Sequence, residues 1–394
     1  VEVVDDHTFR IVLSEPNALL PDVLSSGGFE PLPEHIYGEY ERLSDAVDVN
    51  TRNPVGSGAF KIKRVDQGSE IELEAFDDFF FGRPKLDGLI FRIVRDQNAA
   101  VAQMRAGDLD WIAIQATQMA PLEADSDIEV FSAAGSRYVM AAINMADDVE
   151  PWSTLFEDPR VRQAMFYAVD REEIAQRIGA GLAPVQEGVI PDTLAWVPRP
   201  DIEPYTYDPE RAMALLDEAG WVDSNGDGIR DKDGQELDFY VLVDRGNATR
   251  EQIGLVLQAA WEAIGMNVEY IVTERTGRWL EETRAGTFPV RISTFPVPNG
   301  DWAYRLFHTQ GLNNSQSYSN PDVDAALEAM FATADREEQG QALKLMQEAV
   351  HADPFIMPFF LQPNLHAIDA SFENVPRGEL KLATPYAFEI YQQE

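Results

Sequence analysis

The sequence predicts an α/β protein with mixed sheets flanked by helices, and two stretches carry that reading. Residues 238–272 run strand, helix, strand: D-F-Y-V-L-V, a helix over Thr249–Ile264 capped by Gly265, then N-V-E-Y-I-V. That alternation builds a sheet with helices packed on it. Tyr138–Ile143 is an apolar run too short for a helix, so it reads as a buried strand. After a Pro-containing loop, Asp158 as N-cap and Pro159 as first helical residue open a helix. Val161, Ala164, Met165, Ala168, Ile174 and Ile178 give that helix one apolar face, and Gly179 and Gly181 stop it.

The remaining elements follow in order. Residues 1–13 alternate as one strand, and the Pro and Gly residues that follow make loop and turn over the rest of 1–53. N-P-V-G-S-G-A-F-K-I-K at Asn53 is a turn feeding a strand. Gly56 and Gly58 there could bring backbone N–H groups near a ligand or simply shape the turn. Glu70–Glu74 and Leu89–Val94 alternate on either side of D-D-F-F-F-G-R-P-K-L-D-G, which reads as a hairpin or meander. Asn98–Gly107 is a short helix and Leu109–Ile114 a strand. A long loop to about Thr206 precedes a helix opened by Asp208 and Pro209 and ended at Gly220. Trp279–Ala285 is a helix and Val290–Phe295 a strand. Asn320 and Pro321 open a helical hairpin to about His351, broken near Ala334–Asp335. Ile356–Ile368 reads as a strand kinked at Pro363, and the tail as loop with aromatic Tyr386, Phe388 and Tyr391. No repeat or low-complexity linker occurs, so strands rather than a flexible tether must cross any domain boundary.

Composition narrows the function. A length of 394 residues with 45% hydrophobic content allows two or three domains with sizeable cores. No apolar run approaches the ~20 residues that span a bilayer. No basic-then-apolar signal segment opens the chain, which instead begins inside a strand-like alternation, so a preceding piece is expected to have been removed. With no cysteine there are no disulfides, thiolate metal sites or thiol nucleophiles. A net charge of −37 makes nucleic acid a poor partner, because phosphate binding needs Lys and Arg surfaces. Six lysines stand against 25 arginines. Acidic excess with scarce lysine fits a salt-rich, halophilic environment where ions screen the self-repulsion; an ordinary acidic protein is the alternative.

Six pieces, in order and suitably spaced, carry a resemblance: N-P-V-G-S-G-A-F-K-I at Asn53, F-F-F-G-R-P-K-L-D-G-L-I-F-R-I at Phe79, A-A-V-A-Q-M-R-A-G-D-L-D at Ala99, D-P-R-V-R-Q-A-M-F-Y-A-V-D-R-E-E-I at Asp158, Y-D-P-E-R-A-M-A-L-L-D-E-A-G-W at Tyr207 and Y-S-N-P-D-V-D-A-A-L at Tyr318. The chain resembles, over essentially its whole length, the extracellular solute-binding proteins of family 5, the dipeptide-, oligopeptide- and nickel-binding receptors of ABC importers. The resemblance implies a two-lobed periplasmic-binding-protein fold of type II whose first lobe is discontinuous. It places 1–52 as the remainder of an extra subdomain of lobe one, 53–143 in lobe one, 144–357 in lobe two and 358–394 back in lobe one. The crossings, Tyr138–Ile143 among them, are then hinges over a ligand held between the lobes. It also implies a further N-terminal stretch and an export signal.

By the same resemblance, the loop after Val290–Phe295, F-P-V-P-N-G-D-W-A-Y-R-L-F-H, is where peptide-binding relatives hold the ligand's amine. Phe295 stands where the family often has Trp, Pro298 falls where the amine-binding Asp would be, and Asp301 matches a later Asp and could take over the role. Arg245, in V-D-R-G-N-A-T-R, matches the position of an Arg that takes the ligand carboxylate, a pairing that suits a planar guanidinium; a surface Arg paired with one of the 68 acids is the alternative. Asn144, Asn247, Asn299 and Trp302 complete the ligand-binding candidates, with Trp302 either stacking on a ligand or filling core.

Asp223, Asn225, Asp227, Ile229 (through its carbonyl) and Asp231 have the alternate spacing of an EF-hand-like loop with Gly228 at the sixth position, so structural calcium is the candidate cofactor. Gly234 stands at the twelfth position in place of the closing Glu, and a strand follows rather than a helix, so an acidic hairpin turn is the competing reading. The five histidines show no i, i+4 metal pair.

The expectation is therefore a non-catalytic, monomeric receptor, periplasmic or extracellular and either free or lipid-anchored. It would capture a short peptide or similar small polar solute for an ABC permease. Rivals are the same fold binding an oligosaccharide, opine or other organic acid, a sensor with a signalling partner, and an α/β enzyme, although no G-x-S-x-G, H-E-x-x-H or P-loop occurs.

Overall fold

The computed structural model describes all residues except 15–16, 19, 26–31, 53, 134–136, 150, 193, 297–299, 376–388 and 393–394. The chain divides into two units. Unit one holds residues 1–29 and 136–362, and unit two holds 30–135 and 363–394.

Along the chain, the expected first strand is a hairpin of β1 (Glu2–Asp5) and β2 (Thr8–Arg10), because Asp5 turns its carboxylate onto the His7 amide. Short helices α1 (Leu20–Ser25), α2 (Glu34–Tyr37) and α3 (Val47–Thr51) fill part of what reads as loop. In unit two, β3 (Phe60–Asp66), β4 (Glu70–Ala75) and β5 (Gly88–Arg92) form the expected antiparallel meander. After it come α4 (Gln97–Arg105), capped by Asp96, β6 (Trp111–Ala113), α5 (Ala116–Glu123) and β7 (Ile128–Ala133). The last two are absent from the sequence reading.

Unit one resumes with β8 (Arg137–Ile143), α6 (Pro159–Tyr167), α7 (Arg171–Arg177) and α8 (Pro209–Glu218). The single helix expected after Asp158 is thus two. Asp170 leaves helical geometry and its side chain accepts from the Glu173 amide, starting a new helix. A small hairpin of β9 (Asp231–Lys232) and β10 (Gln235–Glu236) precedes β11 (Asp238–Asp244), α9 (Ala248–Glu262), β12 (Asn267–Thr273), α10 (Arg278–Ala285) and β13 (Val290–Pro296). Then come α11 (Gly300–Phe307), α12 (Pro321–Ala332), α13 (Arg336–Ala352) and β14 (Ile356–Leu361). Unit two closes with β15 (Asn364–Asp369), β16 (Phe372–Glu373) and β17 (Tyr391–Gln392), the last carrying Tyr391; Tyr386 and Phe388 lie outside the described residues.

The core of unit one is a five-stranded mixed sheet of order β12-β11-β13-β8-β14. β11, β12 and β13 run parallel, β8 opposes β13, and β14 opposes β8. Side chains alternate across it. Val139, Ala141, Ile143, Val241, Val243, Val290 and Ile292 face α6, α8 and α9. Tyr138, Met140 and Ala142 face α11, α12 and α13. Burial on both faces explains why β8 and β11 read as continuous apolar runs. Pro358 is tolerated because β14 is an edge strand whose register slips beside it. The buried Arg162 of the D-P-R-V-R motif is structural. Its guanidinium donates to the carbonyls of Phe156, Glu157 and Pro354 and pairs with Asp353, tying α6 to the end of α13.

Unit two has its own sheet, β6-β15-β7, over Ala100, Met104, Ile112, Leu122, Ile128 and Leu365. His366 sits there with its ring stacked on Phe131, its Nδ1 accepting from Trp111 Nε1 at 3.1 Å, and burial pushes its pKa down.

The unit boundaries differ from the expected ones at 143/144 and 357/358. The chain passes between units at 135/136 and 362/363. β8 and β14 are hydrogen-bonded along their length within one sheet, so neither strand can be the crossing. Pro363, expected as a kink in one strand, separates β14 of unit one from β15 of unit two. Residues 1–29 also group with 136–362 rather than with 30–135.

Candidate functional site

In open α/β sheets the carboxyl ends of parallel strands leave room for a ligand. In unit one that edge is formed by Asp244, Thr273 and Pro296, the last residues of β11, β12 and β13. Gly246, at φ +93°, makes the tight turn after β11, and Asn247 caps α9 by accepting from the Arg250 amide. The turn brings Arg250 back over the strand end. Its Nη2 lies 2.8 Å from Asp244 Oδ2 and its Nη1 3.2 Å from Thr294 Oγ1. Asp244 is 1% exposed, and its second oxygen has no hydrogen-bond partner. Arg275, from the β12–α10 loop, approaches Asp244 Oδ2 at 3.7 Å and lies 5.4 Å from the Trp279 ring. Burial lowers the Arg250 pKa, and Asp244 partly offsets this.

Away from this edge, near the amino end of β13, sits Arg291. It occupies the second position of β13, flanked in the sheet by Leu242 and Ala142. It is 2% exposed and leans among rings, with its guanidinium carbon 4.8 Å from the Phe288 centroid, 5.7 Å from Phe295 and 5.8 Å from Trp279. Ser315 Oγ accepts from Nη2 at 2.9 Å, and Nε has no partner. Burial alone pushes its pKa down to about 9. Phe295 in turn meets Trp302 edge-on at 6.5 Å.

The ligand-binding residues expected from sequence are thus only partly brought together. Phe295, Trp302 and Asn247 belong to this neighbourhood. Arg245 is exposed and pairs with exposed Glu274 at 3.1 Å. Asn144 is buried, and its side chain donates to the carbonyls of Gly286 and Phe288 and accepts from the Ala146 amide, which fastens two loops at the other end of the sheet. Asp301 accepts from Arg305 one helical turn on at 2.6 Å and lines a hollow of about 610 Å³ with Tyr304, Arg305 and Glu328. Asn299 and Pro298 lie outside the described residues. Sequence reasoning missed Asp244, Arg250, Arg275, Trp279 and Arg291. The signal available was a charged residue inside or closing an apolar strand, D-F-Y-V-L-V-D and V-R-I-S-T-F.

The acidic loop is a set of local turns. Asp223 accepts from the amides of Gly226 and Gly228, Asn225 from that of Asp227, Asp227 from that of Ile229, and Asp231 from the amide and hydroxyl of Ser224. Those bonds lower the Asp227 pKa, the Ile229 amide foremost. Among the described residues no group of three His, Cys, Asp or Glu is placed to hold a metal ion. Because the loop's oxygens are turned onto its own amides, calcium or a chelator is expected to leave the melting temperature unchanged. A rise with micromolar calcium, reversed by chelation, would favour the EF-hand reading over the acidic turn.

Comparison with known proteins gives four results. The sequence profile of bacterial extracellular solute-binding proteins, family 5 middle, matches residues 1–315. The oligopeptide-binding protein AppA of Bacillus subtilis is 32% identical over 351 residues, which are 85% of this chain and 62% of that protein. The dipeptide-binding protein of Escherichia coli is 27% identical over 362 residues, 89% of this chain and 64% of that protein. The chain therefore spans under two thirds of the length of these relatives. The solved structure of Bacillus subtilis AppA, in complex with a nonapeptide, superposes with a TM-score of 0.80 at 27% identity, covering 97% of this chain and 75% of that one.

Proposed function

This chain belongs to family 5 of the bacterial extracellular solute-binding proteins, and from that premise we propose that it is a non-catalytic receptor that captures a short peptide or similar small polar solute and presents it to an ABC permease. The observation that carries the reading is the carboxyl edge of the unit-one sheet, where the guanidinium groups of Arg250 and Arg275 and the ring of Trp279 gather around the end of β11. Such a set orients a polar ligand through fixed donors and apolar walls. Relatives named for binding oligopeptides and dipeptides support peptide as the solute class. A second reading, a non-peptide organic solute, is favoured by Phe295 and Pro298 standing where the family's aromatic–acid pair is expected.

The protein acts outside the cytoplasm as a monomer, with or without a lipid anchor. No described helix is long and apolar enough to cross a membrane. A net charge of −37 disfavours nucleic acid and suits salt-rich surroundings. Its melting temperature is accordingly expected to climb as KCl rises from about 0.1 M toward 1 M, where screening shortens to ~3 Å. A flat profile would mark an ordinary acidic protein.

The decisive experiment is native mass spectrometry of the full-length protein as purified, followed by denaturation and identification of what is released. A ladder spaced by amino-acid residues makes it a general peptide receptor, and a single mass a specialised one. Chemical turnover of the bound solute, or an empty protein that no peptide or organic-solute pool stabilises, overturns the receptor reading.

A further inference from the structure

We infer that the hollow beside α11 and α12 seats a cationic group carried on an apolar stem, such as a lysine or arginine side chain of the solute. The inference rests on the receptor reading and names a class of solute within it. The hollow, of about 610 Å³, has the size that small ligands fill. Its walls are largely apolar. Tyr304 lies flat on His308, with ring centroids 4.1 Å apart and planes at 17°, and Phe331 meets Tyr304 edge-on at 5.0 Å. Leu13 and Leu312 add aliphatic surface, and Leu312 is left 87% exposed.

One carboxylate at this hollow is uncommitted. Of the two that line it, Asp301 is taken by Arg305 at 2.6 Å. No lysine or arginine pairs with Glu328 among the described residues. Glu328 instead faces His308, whose Nε2 lies 3.6 Å from Glu328 Oε1 and 3.8 Å from Asp324 Oδ1. The His308 side chain is 5% exposed, and Nε2 has no hydrogen-bond partner. Its Nδ1 accepts from the Gln310 amide at 3.0 Å, so a neutral ring carries its proton on Nε2, turned toward the two acids. At those distances neither acid is hydrogen-bonded to it, which leaves the Glu328 carboxylate open to a ligand. Asp324, fixed by the Thr309 amide and hydroxyl, adds a second negative charge behind it. Burial, then Glu328 and Asp324, pushes the Tyr304 phenol pKa up, as befits a wall in a negative potential. An ammonium or guanidinium against such a ring gains from the ring and from Glu328 together. An anion would meet both acids, and the lining arginine is already paired. The cation can belong to a peptide side chain or to a free diamine, since both present a charged nitrogen on a methylene stem.

The test uses the full-length protein freed of co-purified solute, with affinities measured by calorimetry at one fixed ionic strength. The probes are three tripeptide pools with identical free termini and lysine, norleucine or glutamate at the central position, together with cadaverine. The lysine pool is expected to bind about tenfold more tightly than the norleucine pool, the combined size of an exposed ion pair and one cation–ring contact. The glutamate pool should bind more weakly than either. Glu328→Gln should abolish the lysine preference and leave norleucine binding unchanged. Glu328→Lys should turn the preference toward glutamate. Both variants alter an exposed side chain, so both are expected to fold. Glu210→Gln, an exposed acid on α8, controls for net charge and should keep the preference.

Equal binding of the lysine and norleucine pools overturns the inference and leaves the receptor reading standing, since peptides still bind. A lysine preference that survives Glu328→Gln overturns it too, because the cation is then held elsewhere. Binding of cadaverine alone, lost in Glu328→Gln, supports the inference and makes a free amine the source of the cation. If neither the lysine pool nor cadaverine binds the wild type, the inference falls; if native mass spectrometry also finds no solute, the receptor reading falls with it.

Discussion

Replacing Asp244 with alanine is expected to cost about 3–5 kcal/mol of stability, the usual consequence of leaving one member of a buried ion pair alone. Asp244 is 1% exposed, and its Oδ2 receives Arg250 Nη2 at 2.8 Å. Arg250 retains only Thr294 Oγ1 and its contact with water. Its side chain is 10% exposed, which places the loss toward the lower end of that range. The isosteric Asp244→Asn keeps an acceptor and should cost less. Asp244→Ala combined with Arg250→Met should recover most of the loss, since no charge is then left buried. Denaturant midpoints of the two single variants and the double close the cycle. Additive losses would show that the two side chains act independently and would remove the pair as the organiser of this sheet edge. Arg245→Ala, one residue on, breaks only an exposed pair and should change stability by under about 1 kcal/mol.

The second large effect is expected at Trp261. Its side chain is fully buried on α9, 5.7 Å from Phe239 on β11, and its indole Nε1 donates to the Met165 carbonyl on α6 at 2.9 Å. One residue therefore joins the sheet to two helices covering it. Trp261→Ala should destabilise by about 3–5 kcal/mol through lost burial and the cavity left behind. Trp261→Phe, which refills most of the space but not the hydrogen bond, should cost appreciably less. Near-equal losses for the two would mean that the indole N–H, not the packing, dominates at this position.

Much of the fold was legible in sequence because its signals are local. Asp158, Asp208, Asn320 and Asp335 each cap a helix whose start they announce. The apolar runs of β8 and β11 declare strands buried on both faces. α11 escaped notice because Gly300 and the prolines before it read as loop, although D-W-A-Y-R-L-F carries a helical face. β7 escaped because I-E-V-F-S-A becomes a strand only through pairing with β15, more than two hundred residues away. The break at Asp170 shows the reverse case, in which two good caps within one apolar-periodic stretch favour two helices over one.

The site was less legible. The family resemblance pointed to Arg245, which follows the strand; in the fold that side chain is exposed beside Glu274, and Arg250 from the following helix reaches Asp244. Asn144 had the polarity of a ligand contact, but its position between two loops commits all its hydrogen bonds to backbone.

By itself, then, the sequence determined the fold class, most helix starts, the acidity and the family, since each depends on neighbours in the chain or on totals over it. The tertiary structure alone decided where the units divide and which arginines are buried. Burial and pairing depend on which distant strand or loop lies alongside: Ser315, Phe288 and Trp279 meet Arg291 only because β13 sits between β11 and β8.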